Sequence, residues 1–208
     1  MRSGNAGPAS ATTVIEPQRP DGAARKARDE AEAGLAVRAR AGDRAAFGEL
    51  VERYADQARR VARAVLQDPD DADDAAQDAF LAALVKLHQY DAQRPFGPWL
   101  MRIVANAATD RRRRRTVRRA ETLEEGLVAG GARPDVVAER EALNGRLRTA
   151  LAQLPPRRSL AVTLFDVEGY SHAEIAEMLG IPEGTVRSEV FHARRRLRTL
   201  LADWRRDG

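Results

Sequence analysis

The chain has 208 residues, room for one large or two small domains, with 43% hydrophobic, 32% charged and only 5% aromatic residues. That mix suits compact helical domains better than sheets, which favour aromatic and β-branched side chains. The absence of cysteine excludes disulfides, thiolate metal sites and cysteine nucleophiles. No apolar run reaches the roughly eighteen residues of a membrane span, and the N-terminus lacks the apolar core of a secretory signal, so a cytoplasmic chain without membrane insertion is expected.

The net charge of +4 conceals a strong segregation. Six aspartates and no base lie between Asp68 and Asp78; seven arginines and no acid lie between Arg111 and Arg119. From Arg194 to Arg206, six arginines face one aspartate. Separate acidic and basic blocks suggest two different partners, and basic density of this kind suggests phosphate.

In chain order, residues 1–33 are rich in small and charged residues with little to bury, which predicts a disordered tail. Asp43 is a candidate N-cap for a helix whose stripe is Phe47, Leu50, Val51, Tyr54, Ala58, Val61 and Val65. Asp68-Pro69 breaks it. The next helix has aspartates crowding its start, favourable with the macrodipole, and places Phe80, Leu84 and Leu87 on one face. A loop from about Gln89 to Gly97 leads to a third helix, with Pro98 in its first turn and Leu100, Ile103, Val104 and Ala107 as its stripe, running out into Arg111–Arg115. From Thr116 to about Asp135 no stripe lasts more than a turn, and Gly126, Gly130, Gly131 and Pro134 punctuate the segment as a flexible linker.

A second helical region spans about 136–204. Leu143, Leu147, Ala150, Leu151 and Leu154 form a stripe ended by Pro155-Pro156, and Ser159–Val167 predicts another helix closed by Gly169. Ser171-His172-Ala173-Glu174 has the spacing of a capping box, with Gly180 at the matching C-terminal position. After Ile181-Pro182-Glu183-Gly184, a last helix carries Val186, Val190, Ala193, Leu197 and Leu201. The stretch from Ser171 to about Arg198 is thus laid out as a helix-turn-helix. At about 100° per residue, Arg187, Ser188, Phe191, Arg195 and Arg198 fall opposite the apolar side, a face able to hold phosphate and reach base edges in a major groove. The expected fold class is all-α: two small helical domains joined by a flexible linker, the C-terminal one a helix-turn-helix.

Three strings resemble one known family, the extracytoplasmic-function sigma factors of bacterial RNA polymerase. Asp71-Ala72-Asp73-Asp74-Ala75-Ala76-Gln77-Asp78-Ala79-Phe80 is similar to their core-polymerase-binding helix. Phe96-Gly97-Pro98-Trp99-Leu100-Met101-Arg102-Ile103-Val104-Ala105-Asn106, with Asp110 and the following arginines, resembles their −10 recognition helix. Gly184-Thr185-Val186-Arg187-Ser188 resembles the start of their −35 recognition helix. The order is the family's, and the resemblance covers roughly residues 35–203. It implies a region-2-like domain over 34–115, a linker over 116–135 and a region-4-like domain over 136–204.

The resemblance further implies that Asp74, Gln77, Asp78 and Phe80 dock on core polymerase. It implies that Trp99, Arg102, Asn106, Asp110, Arg111, Arg112 and Arg113 meet a melted −10 strand, with the loop from about Gln89 to Phe96 reading a flipped base. For the −35 duplex it implies Thr185, Arg187, Ser188, Phe191, His192 and Arg195. It also implies an anti-sigma partner. The chain departs from the family at Glu189 and His192, where arginine is common; a glutamate there removes a phosphate clamp, or accepts from a cytosine.

The alternative use of the same helix-turn-helix is a polymerase-independent repressor or activator, but the N-terminal half shows no ligand or receiver module. An enzyme is not expected. His88, His172 and His192 are scattered without metal-ligand spacing, no phosphate-binding glycine loop appears, and His172 falls inside the capping box, expected to be exposed. Neither cofactor, metal nor small-molecule substrate is implied.

Overall fold

The structure, a computed structural model, describes residues 22–121 and 139–203. Its elements are α1 (Gly22–Arg40), α2 (Arg44–Leu66), α3 (Pro69–Lys86), a 3₁₀ turn (Leu87–Gln89), α4 (Phe96–Glu121), α5 (Glu139–Ala152), α6 (Pro156–Val162), a π-helical turn (Thr163–Val167), α7 (His172–Leu179) and α8 (Glu183–Asp203). No strand occurs among the described residues, and no described helix is long and apolar enough to cross a membrane.

Local chemistry sets most helix ends. Asp43 accepts the Ala46 N–H at 3.1 Å and starts α2. Asp68 accepts from the Asp70 and Asp71 N–H groups, both at 3.1 Å, and Pro69 opens α3 with the φ it already prefers. The Ser171 hydroxyl accepts from the Glu174 N–H at 3.2 Å while Glu174 accepts from the Ser171 N–H at 2.8 Å, so the capping box forms as its spacing predicts. Gly180, with φ of 64°, closes α7 in the left-handed region that glycine enters without penalty.

Packing departs from the sequence expectations in four places. Residues 1–21 of the tail predicted over 1–33 lie outside the described residues, and from Gly22 onward the chain is not a tail but the helix α1. Its anchor is polar: Glu32, 3% exposed, accepts a 2.5 Å hydrogen bond from the Tyr54 hydroxyl, beside buried Leu35, Ala36 and Ala39. The linker predicted from Thr116 also starts late, since α4 continues to Glu121; its remainder, 122–135, lies outside the described residues.

Of the face expected from Phe80, Leu84 and Leu87, only Leu87 is fully buried, in the turn that follows; the packed face of α3 itself is Ala72, Ala75, Ala76, Ala79 and Ala83. Small side chains let α3 approach α2 and α4 closely; Leu84 is left 47% exposed and Phe80 half-buried. Finally, His172 is not free in the capping box: its ring stacks on Phe165 with centroids 4.1 Å apart.

The two halves share one buried cluster. It runs from Leu50, Val61, Leu100, Met101 and Val104 through Leu160, Leu164 and Phe165 to Ile175, Val186 and Val190. Val186, Val190 and Ala193 form the inner side of α8, as their spacing predicts.

Candidate polymerase and promoter interface

Helix α3 turns its alanines inward, and that rotation decides what faces out. Asp74, Gln77 and Asp78 are exposed. So are Leu81 (64%) and Val85 (73%), which with Leu84 extend the same face by one and two turns. Of these three, Leu84 was on the face read from the sequence, whereas Leu81 and Val85 were missed, although their spacing from Gln77 and Asp78 is the available signal. Phe80 sits apart, half-buried against the core.

The acids are partly neutralised from within. Arg111 of α4 donates Nε to Asp71 at 3.0 Å and Nη2 to Asp74 at 2.6 Å, and its Nη1 lies 3.7 Å from Asp78. Arg115 donates to Asp71 at 2.5 Å and lies 3.6 Å from Asp68. Burial pushes the Asp71 carboxyl up, but the Arg111 and Arg115 guanidiniums outweigh it and hold it below the usual carboxylate range. The same contacts, Asp71 first, raise Arg111. Arg111 therefore braces α3, whereas Arg112 and Arg113 are exposed, Arg113 lying 3.8 Å from Asp110.

A groove opens at the start of α4. Tyr90, Phe96 and Trp99 form a triangle of rings with centroids 5.3–5.4 Å apart, and Tyr54 adds an edge 5.7 Å from Phe96. The Tyr90 hydroxyl donates to the Arg94 carbonyl at 2.6 Å and fixes the loop; burial pushes that hydroxyl's pKa up to about 12. Arg102 and Asn106 are exposed along the groove, with Trp99 half-buried in its floor. Aromatic faces beside guanidiniums and amides suit unstacked bases and their phosphates. Of the predicted set, Trp99, Arg102 and Asn106 are gathered here, while Asp110 to Arg113 lie further along α4.

The opposite wall belongs to the other half of the chain: Glu174, Glu177 and Met178 of α7 line the same groove. Arg94 pairs with Glu177 across it, and Arg25 of α1 pairs with Glu174. Further along the seam, Arg60 donates to Glu168 through Nε at 2.7 Å and Nη2 at 3.1 Å. Gln57 donates to the Tyr170 hydroxyl at 3.2 Å, and burial raises that phenol further above its ordinary value. A Cβ on Gly97 would stand 2.9 Å from the hydroxyls of both Tyr54 and Tyr170, so the bare backbone there allows the two halves to meet.

On α8 the outward face is open. Arg187, Ser188, Phe191, His192 and Arg195 are exposed, and Thr185 is half-buried at the edge. Phe191 is 63% exposed with its ring against His192, centroids 5.5 Å apart. Arg187 pairs with Glu183 one turn earlier at 2.6 Å. Glu189 turns aside from this face toward Arg157 and Arg158 of α6.

Residues 50–118 match the family model for sigma-70 region 2, and residues 144–197 match the model for sigma-70 region 4. The chain is 40% identical over 161 residues to the ECF RNA polymerase sigma factor SigM of Mycobacterium tuberculosis, covering 77% of this chain and 80% of that protein. It is 31% identical over 172 residues to the ECF RNA polymerase sigma factor SigW of Bacillus subtilis, covering 78% and 92%. Among solved structures, CnrH in complex with the cytosolic domain of CnrY matches with a TM-score of 0.62 at 30% identity, over 83% of this chain and 98% of that one. The fold is also that of the sigma factor RpoE in its complex with the anti-sigma factor NepR from Bartonella quintana (TM-score 0.62, 23% identity, 75% of this chain and 96% of that one). With both sigma-70 regions matched and an acidic helix, a ring-lined groove and a basic last helix following one another along it, this chain belongs to the extracytoplasmic-function family of RNA polymerase sigma factors, and it directs promoter recognition and transcription initiation.

Proposed function

We propose the division of that task among the surfaces. The exposed face of α3, with Asp74, Gln77 and Asp78 beside Leu81, Leu84 and Val85, docks on core polymerase; Phe80 shapes the helix from below. The groove of Trp99, Arg102 and Asn106 holds the melted −10 strand, with Arg112 and Arg113 on its phosphates. Thr185, Arg187, Ser188, Phe191, His192 and Arg195 set the −35 duplex. Each DNA contact is weak alone, and attachment to one chain on one enzyme raises their effective concentration. The chain acts as a non-catalytic subunit in the cytoplasm. An anti-sigma partner is part of this reading, supported by the complexes in which CnrH and RpoE were solved.

The observation that carries the docking assignment is the apolar strip Leu81–Leu84–Val85 beside exposed acids on a helix whose other side is fully packed. Bare capping needs no such strip, and a contiguous exposed apolar patch marks an interaction surface. Run-off transcription with purified core enzyme on genomic fragments tests it. Asp74→Arg with Gln77→Ala is expected to abolish core binding and specific starts while leaving helix content unchanged. Undiminished core binding by that variant refutes the assignment. Tight promoter binding by the wild-type chain without core enzyme favours the polymerase-independent reading.

A further inference from the structure

Glu189 is an acid on a helix whose outward face is built for phosphate, and the structure gives it other work. Its side chain is 21% exposed; Oε2 accepts from Arg158 Nε at 3.2 Å and Oε1 lies 3.7 Å from Arg157 Nε. Both arginines stand in the first turn of α6, and their side chains remain 53% and 39% exposed. In both, Nε is the nitrogen turned to the carboxylate, which leaves terminal guanidinium nitrogens directed elsewhere.

Rotation about α8 places the cluster. At about 100° per residue, Glu189 falls between the outward edge formed by Thr185 and His192 and the buried Ala193. The two guanidiniums are therefore held on the Thr185 and His192 side of α8, next to the flank of the face that carries Ser188 and away from Arg187. One carboxylate between two cations leaves a net positive cluster. An arginine at position 189 would repel Arg157 and Arg158 from this place.

We propose that Glu189 is a positioning residue for −35 recognition. Without touching DNA, it tethers Arg157 and Arg158 of α6 beside α8, so that they grip the phosphates flanking the groove that α8 enters. The gain comes from pre-organisation, since two long side chains are fixed before the duplex arrives. This rests on the assignment of α8 as the −35 helix. It differs from two other uses of the same acid, repulsion of phosphate and direct acceptance from a base.

Holoenzyme reconstituted from core polymerase and the full chain tests it, on a promoter fragment whose start site the wild-type chain fixes. Fragment affinity is measured across a salt series and against every single substitution in the −35 element. Glu189→Ala is expected to weaken binding about 3- to 10-fold, with no change in base preference. The same substitution is expected to cost nothing further in an Arg157→Ala, Arg158→Ala background. That double variant alone lowers the salt slope by about 1 to 2, as for one or two lost phosphate contacts. Glu189→Gln, which keeps an acceptor and the side-chain shape, retains part of the affinity, and melting temperatures control for folding. Tighter binding by Glu189→Ala in both backgrounds, altered preference at one base pair, or a loss that persists without the arginines each overturns the proposal. If wild-type holoenzyme is indifferent to scrambling of the −35 element, the α8 assignment itself fails, a result separate from any behaviour of the Glu189 variants.

Discussion

Replacing Arg60 by alanine tests what holds the two halves together. Arg60 forks onto both oxygens of Glu168, whose side chain is only 4% exposed, while Arg60 itself is half in water. The pairing also holds the Arg60 guanidinium above its ordinary pKa, chiefly through that hydrogen bond. Exposed pairs contribute about 0–1 kcal/mol, and breaking a buried pair costs about 3–5 kcal/mol because a charge is stranded. This pair lies between, so Arg60→Ala should cost the closed arrangement about 2 kcal/mol, a factor of roughly 30 in the open-to-closed ratio.

The chain has no cysteine, so a labelled pair introduced at exposed Glu52 and Arg198 reports the separation by single-molecule energy transfer. The variant should shift the distribution to longer, broader distances, and Glu168→Gln added to it should restore part of the short-distance population, because a neutral amide tolerates the seam better. Separation should also withdraw Glu174 and Glu177 from the ring-lined groove. Apparent affinity for a short single-stranded oligonucleotide should then rise, because two carboxylates that repel phosphate leave the wall of the groove. An unchanged distance distribution in Arg60→Ala refutes the claim that this pair closes the seam.

Three further outcomes follow from named contacts. Asp71, held below the usual carboxylate range by Arg111 and Arg115, contributes stability that is full above about pH 4 and lost as pH falls through its lowered folded value. Asp71→Asn should therefore flatten the fall of melting temperature below about pH 4, and equal steepness in both proteins counts against it. Ser171→Ala removes the N-cap of α7 and should cost about 1 kcal/mol, roughly 2–4 °C in melting temperature, with Ser171→Asp close to wild type by calorimetry. Val85→Ser, at a position 73% exposed, should leave stability within about 0.5 kcal/mol yet weaken core-polymerase binding in a pull-down titration.

What could be read from the sequence was what neighbours in the chain decide. Asp43, the Ser171–Glu174 box, Gly180 and the Val186–Val190–Ala193 side of α8 all act within a turn or two, and each appears where its spacing put it. The early start of α1 was hidden because its anchor is a carboxylate, Glu32, answered by a tyrosine 22 residues away. An apolar-stripe search passes over such a residue. The packed face of α3 was not legible because Phe80, Leu84 and Leu87 were read as its apolar side, whereas a tight three-helix contact selects alanine and leaves Leu81 and Leu84 exposed, with Leu87 alone of the three leucines buried. For the site, residue types and order were legible, but partnership was not. Arg111 reads as one more cation in a basic run until the fold brings Asp71 to it from 40 residues earlier, and nothing local announces that α7 will wall the groove beside Trp99.

Helix α4 is 26 residues long, a rod of about 39 Å. Its first turns form the floor of the groove; its later turns carry Arg111 and Arg115, each in contact with an acid of α3. A visitor that brings its own cations to Asp71 and Asp74 competes directly with those two arginines, and whatever it displaces becomes positive charge facing solvent on the same rod. Engagement of such a ligand on α3 would thus change the charge that α4 offers to the next one.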